Sequence, residues 1–409
     1  MKYVLVIGDG MADFPIEELG NVTPLAKAHK PLIDQLAADG IVKEVKTVPD
    51  GIPAGSDTAI LSIFSYDPRI VYTGRSPLEA AGSGVKMEKG NISFRCNLAA
   101  VTEEGDDYAA QTMISHSGGA IDGEDAKVLM NDLIASPEFS AILNKYGMTF
   151  TVNPSYRHIA ILKTGSDKVE LTPPHDILTQ PIAGYLPKGE GAQMLYEIMS
   201  ESWKWLKNHP INVQRRAVGK TPANSLWFWG QGGAVVLSSF EEKFGHNGDA
   251  ITAVPLVAGI AELAGLQHTE VPGATGEIDT NYAGKVSAAL EALKKYDFAA
   301  IHVEAPDECG HAGNAKEKVR AIELLDSEIF APLLKGLEEI GERYRILFLS
   351  DHYTPICTRT HDGTPVPYML YDSAVKTGNG MPYCETSAAA ANDRMEEGTH
   401  LMPLLFSVK

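Results

Sequence analysis

Three short apolar runs, each ending at an acidic residue, constrain this chain more than any other feature. YVLVIGDG places Asp9 just beyond the first run. DFAAIHVEAPDECGH carries Asp307 and His311, four residues apart, past the second, and RILFLSDH sets Asp351 beside His352 at the end of the third. Apolar runs bounded by turn residues fit strands buried on both faces of a mainly parallel sheet. Tyr3–Ile7, Ser225–Trp229, Ala299–Val303 and Arg345–Leu349 all read this way. Helix-period stretches lie among them at Gly191–Lys207, Ala253–Ala264, Lys285–Lys295 and Lys316–Ile340. Alternation of strand and helix at both ends of the chain predicts a doubly wound α/β core with helices on both faces.

The middle reads differently. A helix-like stretch, Asp122–Leu143, precedes strand-like Met148–Val152 and His158–Lys163, and Leu171–Leu178 forms a Pro-rich return. These pieces predict a small α+β domain at 116–182, inserted into a core built from 1–115 and 183–409. A single compact domain with long excursions is the other reading.

Charge and cysteine usage exclude several classes. A formal net charge of -18 over 409 residues argues against the basic stripe of a nucleic-acid surface. An acidic chain that handles phosphorylated substrates must build a local positive field from metals, Arg and Lys. Cys96, Cys309, Cys357 and Cys384 form no CxxC pair, so neither a disulfide framework nor a zinc ribbon is expected. MKYVLVIGDG is too short an apolar run for a signal peptide, and no run approaches the roughly 18 residues of a membrane span. A cytoplasmic protein is expected, with a small-molecule partner and neither membrane nor nucleic acid.

In open α/β sheets, ligands gather outside the carboxyl ends of the strands. One rim could therefore receive Asp9, Asp307, His311, Asp351 and His352. Carboxylate mixed with imidazole suits Mn²⁺, Zn²⁺ or Fe²⁺, whereas Mg²⁺ is more often held by oxygen alone. His361, in TRTHDGTPVP, is a further candidate ligand on the next loop. Single Asp residues at strand ends are often helix caps, and His29, His158, His209, His268 and His400 read as ordinary core or surface groups. The information lies in the joint pattern at three strand ends.

Ser56, in GIPAGSDTAILSIF, opens an apolar helix-period run and is the candidate nucleophile. Free N–H groups and the positive dipole end at a helix N-terminus stabilise an attached phosphate. Serine is also a common N-cap, and the local pattern alone favours that reading. An unassisted serine hydroxyl needs a metal or base to become a nucleophile, so its role depends on the cluster. Arg75, between Gly74 and Ser76, and Lys285 join Ser56 as catalytic candidates. Arg69, Arg95, Arg157, Arg215 and Arg216 are candidates for binding substrate through the planar guanidinium fork. Val218–Thr221 reads VGKT, but Gln214 stands where a P-loop needs its first glycine. Gly230–Gly233 lacks dinucleotide-binding spacing. Trp227 and Trp229 read as core.

With these residues assembled, the chain resembles the archaeal type of cofactor-independent (2,3-bisphosphoglycerate-independent) phosphoglycerate mutase, in the alkaline phosphatase superfamily. The resemblance runs nearly end to end. It is carried by VLVIGDGMAD, PAGSDTAILSIF, TGRSPLEAAG, FRCNLA, VPGATGEIDTNYAGK, HVEAPDECGH, and SDHYTP with RTHDGTPVP. It implies an alkaline-phosphatase-like fold and two divalent ions, Mn²⁺ first, with Zn²⁺, Co²⁺ or Mg²⁺ also compatible, and no organic cofactor. One ion would be held by Asp307, His311 and His361. The other would be held by Asp9, Asp351 and His352, with the Ser56 oxygen beside it. The implied reaction moves the phosphoryl group of 3-phosphoglycerate to Ser56 and back to the 2-hydroxyl of the retained glycerate, the inserted domain excluding water as a lid. Some bacterial members look like homoserine kinases that use ATP with the same serine and metals. A plain metal-dependent phosphomonoesterase is the third alternative.

Overall fold

The computed structural model describes residues 1–407 apart from Asp122 and Asn379. The apolar runs Lys2–Gly8, Phe298–Val303 and Tyr344–Leu349 are strands, and apart from half-buried Lys2 every residue in them is buried. Lys2–Gly8 lies between the other two and pairs with both in parallel. Ile7 pairs with His302 on one side and with Leu349 on the other, so the three carboxyl ends finish almost level. That register delivers the residues following each strand to one rim.

These strands belong to an eight-stranded sheet. Its order is Gln267–His268, Gly248–Ile251, Phe298–Val303, Lys2–Gly8, Tyr344–Leu349, Val366–Asp372, Ile41–Val45 and Arg394–Met395. Val366–Asp372 alone runs against its neighbours, pairing antiparallel with the strands on both sides. The sheet is therefore mainly parallel, in a mixed α/β fold. The expected helix at Lys316–Ile340 is helical throughout, but Leu325–Phe330 is wound as a π-helix between Ala315–Leu324 and Ala331–Ile340. Pro332 has no N–H to give to the preceding turn, and the ladder loosens beside it.

Contacts divide the chain into two units, Met1–Tyr72 with Val236–Lys409, and Thr73–Val235. The second is built on its own sheet, in which Ile92–Val101 pairs antiparallel with Arg157–Leu162 and with Ser225–Gly233. Expecting Ser225–Trp229 in the parallel sheet was therefore incorrect. An apolar run reports burial on both faces, but it does not encode the direction of its neighbours. Phe94, Leu98, Leu129, Leu133, Trp203, Leu226 and Phe228 form part of this unit's core. The expected insert at 116–182 lies within the unit, whose sheet also takes strands from either side of that range. The single helix expected at Asp122–Leu143 is two helices, Gly123–Ala135 and Pro137–Tyr146, parted at Ser136 by the following proline. Asp122 itself lies outside the described residues. All four cysteines are unpaired. Among the described residues, no helix is long and apolar enough to cross a membrane.

His158, in the Arg157–Leu162 strand, is 1% exposed. Its Nδ1 accepts the Asn153 N–H at 3.2 Å, and its Nε2 has no partner among the described residues. Burial pushes its pKa down to about 4. Unfolding returns the ring to an ordinary value near 6.5, so the unfolded chain binds a proton that the folded one refuses. The stability contributed is present above about pH 6.5 and is lost as pH falls toward 4, at no more than about 1.4 kcal/mol per unit. The denaturant midpoint of the wild type should drop between pH 6.5 and 4.5 more steeply than that of His158→Phe. Equal slopes would contradict this.

Candidate metal centre

All the ligand candidates lie in the unit Met1–Tyr72 with Val236–Lys409. Asp9 follows the Lys2–Gly8 strand directly, and Gly10 turns the chain with φ of 56°. A Cβ at Gly10 would fall 2.4 Å from Asp307 Oδ1 and 2.5 Å from Thr354 Oγ1, so only glycine permits the close approach of these loops. The helix Ala305–Ala312 begins just after Phe298–Val303. Asp307 and His311, one turn apart, share a face of it, with His311 Nε2 3.1 Å from Asp307 Oδ2.

His361 Nε2 lies 3.0 Å from His311 Nε2 and 3.7 Å from Asp307 Oδ1. His311 Nδ1 faces the Arg359 carbonyl at 3.0 Å and donates to it, which turns Nε2 toward Asp307 and His361. Asp307, His311 and His361 thus converge closely enough to hold one ion. Asp9, Asp307 and His352 form a second such group, so Asp307 stands in both. Asp351 adjoins the second group, its Oδ2 3.3 Å from His352 Nε2, and His352 Nε2 is 3.6 Å from Asp9 Oδ1.

Ser56 is the first residue of the helix Ser56–Ile63, and Gly55 takes the N-cap position. The capping role that local pattern favoured is therefore not the one the serine adopts. Its Oγ points instead at His352 Nε2, 3.2 Å away, and at Asp9 Oδ2, 3.5 Å away.

The electrostatics suit a cation. Asp9 Oδ1 and Asp351 Oδ2 are buried without a hydrogen-bond partner among the described residues. Burial, then the charges of Asp351, Asp307 and Glu304, push Asp9 well above the usual carboxylate range. Burial also opposes ionisation of Asp307, but the His311 hydrogen bond and the charges of His352, His311 and His361 outweigh it and hold the carboxyl well below the usual range. The Asp307 hydrogen bond lifts His311 to about 9, whereas burial and then the His352 charge lower His361 to about 4. Orphaned buried carboxylate oxygens are costly unless a positive partner meets them. A mixed carboxylate and imidazole set fits divalent cations such as Mn²⁺ or Zn²⁺.

The loops are held by groups that sequence reading did not single out. Thr354 Oγ1 donates to Asp307 Oδ1 and faces His352 Nδ1 at 3.2 Å. Lys318, fully buried, uses Nζ to reach Asp13 Oδ2 and the Thr354 carbonyl, both at 2.8 Å, and the Ala12 carbonyl at 3.3 Å. His302 Nε2 stands 3.0 Å from Asp9 Oδ2. A histidine inside the otherwise apolar strand FAAIHV was the available signal for it.

Other sequence candidates are not members of the two ligand groups. Lys285 is buried with its Nζ on the His302 carbonyl at 2.8 Å, and burial lowers its pKa to about 8. Arg69 pairs with Asp67 and Glu397 on the surface. In the second unit, Arg75 and Arg95 share Glu79 at 2.9 and 3.0 Å. The Arg95 guanidinium also lies 4.0 Å over the Trp229 ring, which is thus more than core packing. Arg157 stacks over Tyr156 at 5.0 Å. Arg215 donates to the carbonyls of Thr221 and Gly118, and Arg216 pairs with Glu103.

Known proteins give this arrangement a context. A sequence model described as 2,3-bisphosphoglycerate-independent phosphoglycerate mutase matches residues 37–212, and one described as type I phosphodiesterase / nucleotide pyrophosphatase matches 183–367. The fold is that of a cofactor-independent phosphoglycerate mutase from Thermoplasma acidophilum, with a TM-score of 0.65 at 24% identity over 99% of both chains. A solved protein from Pyrococcus horikoshii superposes with a TM-score of 0.80 at 30% identity, covering 100% of this chain and 98% of the other. A probable 2,3-bisphosphoglycerate-independent phosphoglycerate mutase of Geobacter sulfurreducens is 44% identical over 99% of both chains. The enzyme so named from Methanothrix thermoacetophila is 44% identical over 100% of both. The chain belongs to the 2,3-bisphosphoglycerate-independent phosphoglycerate mutase family.

Lys318 and Asp13 are 0% and 1% exposed. Lys318→Met would strand a buried carboxylate, which costs about 3–5 kcal/mol. The denaturant midpoint should fall accordingly, and an unchanged midpoint would remove the pair as a clamp.

Proposed function

We propose that this chain interconverts 3-phosphoglycerate and 2-phosphoglycerate without bisphosphoglycerate, by way of a phosphoserine at Ser56. The observation that carries the reading is the direction of the Ser56 hydroxyl. It opens a helix, makes no capping bond, and faces Asp9 and His352 beside carboxylate oxygens that lack a donor.

Asp307, His311 and His361 would hold one divalent ion, and Asp9, Asp351 and His352 the other, with Mn²⁺ the first choice for this donor mixture. Such ions, when bound, supply positive charge to phosphoryl oxygens and ease ionisation of a neighbouring hydroxyl. The chain's own part is positioning. The backbone N–H groups that open Ser56–Ile63, apart from that of Thr58, which donates to Asp57 Oδ1 at 3.0 Å, would receive phosphoryl oxygens. The bond from phosphorus to the substrate 3-oxygen breaks as the bond to Ser56 Oγ forms, and the serine proton is replaced on glycerate. The 2-hydroxyl then takes the phosphoryl group and returns a proton to Ser56. Arg75, Arg95 and Arg157 are proposed to bind the substrate's anionic groups, since guanidinium forks match carboxylate and phosphate oxygens. Arg69, Arg215 and Arg216 are further candidates for the same role, each paired within the protein as Arg75 and Arg95 are. The unit Thr73–Val235 is proposed to exclude water while glycerate is retained.

The deciding assay runs two arms on Mn²⁺-loaded protein. One follows 3-phosphoglycerate to 2-phosphoglycerate without added bisphosphoglycerate, and the other follows homoserine phosphorylation by ATP. Conversion is expected in the first arm alone; phosphohomoserine in the second alone would replace the mutase by a kinase using the same serine. Ser56→Ala should lose turnover while retaining about two metal equivalents per chain. Full activity in that variant would end the phosphoserine route.

A further inference from the structure

One histidine behind the ligand groups is held through both ring nitrogens and its own carbonyl. His302 is 2% exposed within the Phe298–Val303 strand. Pairing with Lys2–Gly8 sets it beside Ile7, two residues before Asp9. Its Nε2 meets Asp9 Oδ2 at 3.0 Å, and its Nδ1 meets Thr252 Oγ1 at 3.2 Å. Thr252 Oγ1 already accepts the Val254 N–H at 3.0 Å, so its hydroxyl proton is free to point at Nδ1. The ring proton then sits on Nε2 and points at the carboxylate. Lys285, 1% exposed, donates to the His302 carbonyl at 2.8 Å and anchors the strand end that carries the ring.

An apolar residue would fill this strand position at lower desolvation cost, because buried polar groups are tolerated only when satisfied. What the histidine does is divide the work of the Asp9 carboxylate. Oδ2 receives the imidazole N–H, whereas Oδ1 is left buried without a partner. A ligand oxygen fixed by a hydrogen bond on its twin is the usual way an outer group orients a metal-binding carboxylate.

We propose that His302 is a positioning residue that grips Asp9 by Oδ2 and so presents Oδ1 to the second ion, with Thr252 fixing the ring and Lys285 the strand end that carries it. This rests on reading Asp9 as a ligand of that ion. It gives Lys285 a part played through His302 and not through contact with substrate.

The test is a Mn²⁺ titration of the metal-free full-length protein, with free Mn²⁺ read by electron paramagnetic resonance. In His302→Leu, one of the two ions should bind about 10–100-fold more weakly while the other keeps its affinity. His302→Gln, which retains an N–H that can reach Asp9, should recover most of the loss. Thr252→Val should weaken the same ion to a smaller degree, and Thr252→Ser should not. Wild-type affinity for both ions in His302→Leu would overturn the proposal. Should that variant fail to fold, Thr252→Val decides alone, and wild-type affinity at both of its ions would overturn it equally. Turnover plays no part in the readout. A protein inactive as a mutase but showing the selective loss retracts the proposed function and keeps His302; an active mutase whose His302→Leu variant binds both ions normally does the reverse.

Discussion

Three buried carboxylates crowd one end of a sheet in a chain that is already strongly acidic. Asp9, Asp307 and Asp351 are each no more than 5% exposed, and the charges of Asp351 and Asp307 add to burial in opposing the ionisation of Asp9. Much of the surrounding structure answers that repulsion. Imidazoles from His302, His311, His352 and His361 line the group, the Thr354 hydroxyl supports Asp307, and Lys318 ties the loop after Asp9 to the loop after Asp351. Even so, two carboxylate oxygens are left without donors. A site that is over-supplied with acceptors and under-supplied with protons is built for a cation.

The fold was legible where chemistry and periodicity coincide. An apolar run that stops at an Asp announces both a buried strand and its ligand-bearing end, so the parallel trio and the five candidates at its rim could be read as a pattern. Ser56 was legible as a helix start but not as the first helical residue, because cap and first turn differ by one position. The run at Ser225–Gly233 was legible as a strand and misread in direction. Sequence patterns register whether a strand is buried, not which neighbour it finds.

Other features depend on contacts far apart in the chain. Asp307 belongs to both ligand groups, which follows from loop geometry and not from spacing. His302 looks like a core residue until the pairing of its strand with Lys2–Gly8 brings it to Asp9. Lys318 resembles any lysine of an amphipathic helix, and only the fold reveals that its ammonium is enclosed by three oxygen acceptors. Arg69, Arg75, Arg95, Arg157, Arg215 and Arg216 were legible only by type, since a guanidinium serves surface pairing and carbonyl capping as readily as anion binding.

The central place of Lys2–Gly8 also bears on how such a chain is made. Tyr3 pairs with Phe298 on one side and Arg345 on the other, so this strand is synthesised long before either partner. At roughly 5–20 residues per second, a ribosome needs about 15–60 seconds to reach them. Throughout that interval an apolar strand with two open edges waits on the nascent chain, which is the kind of segment that holdase chaperones shield. Asp9 is likewise kept from Asp307 and Asp351 over the same interval, so the cluster forms only once those distant segments have joined it.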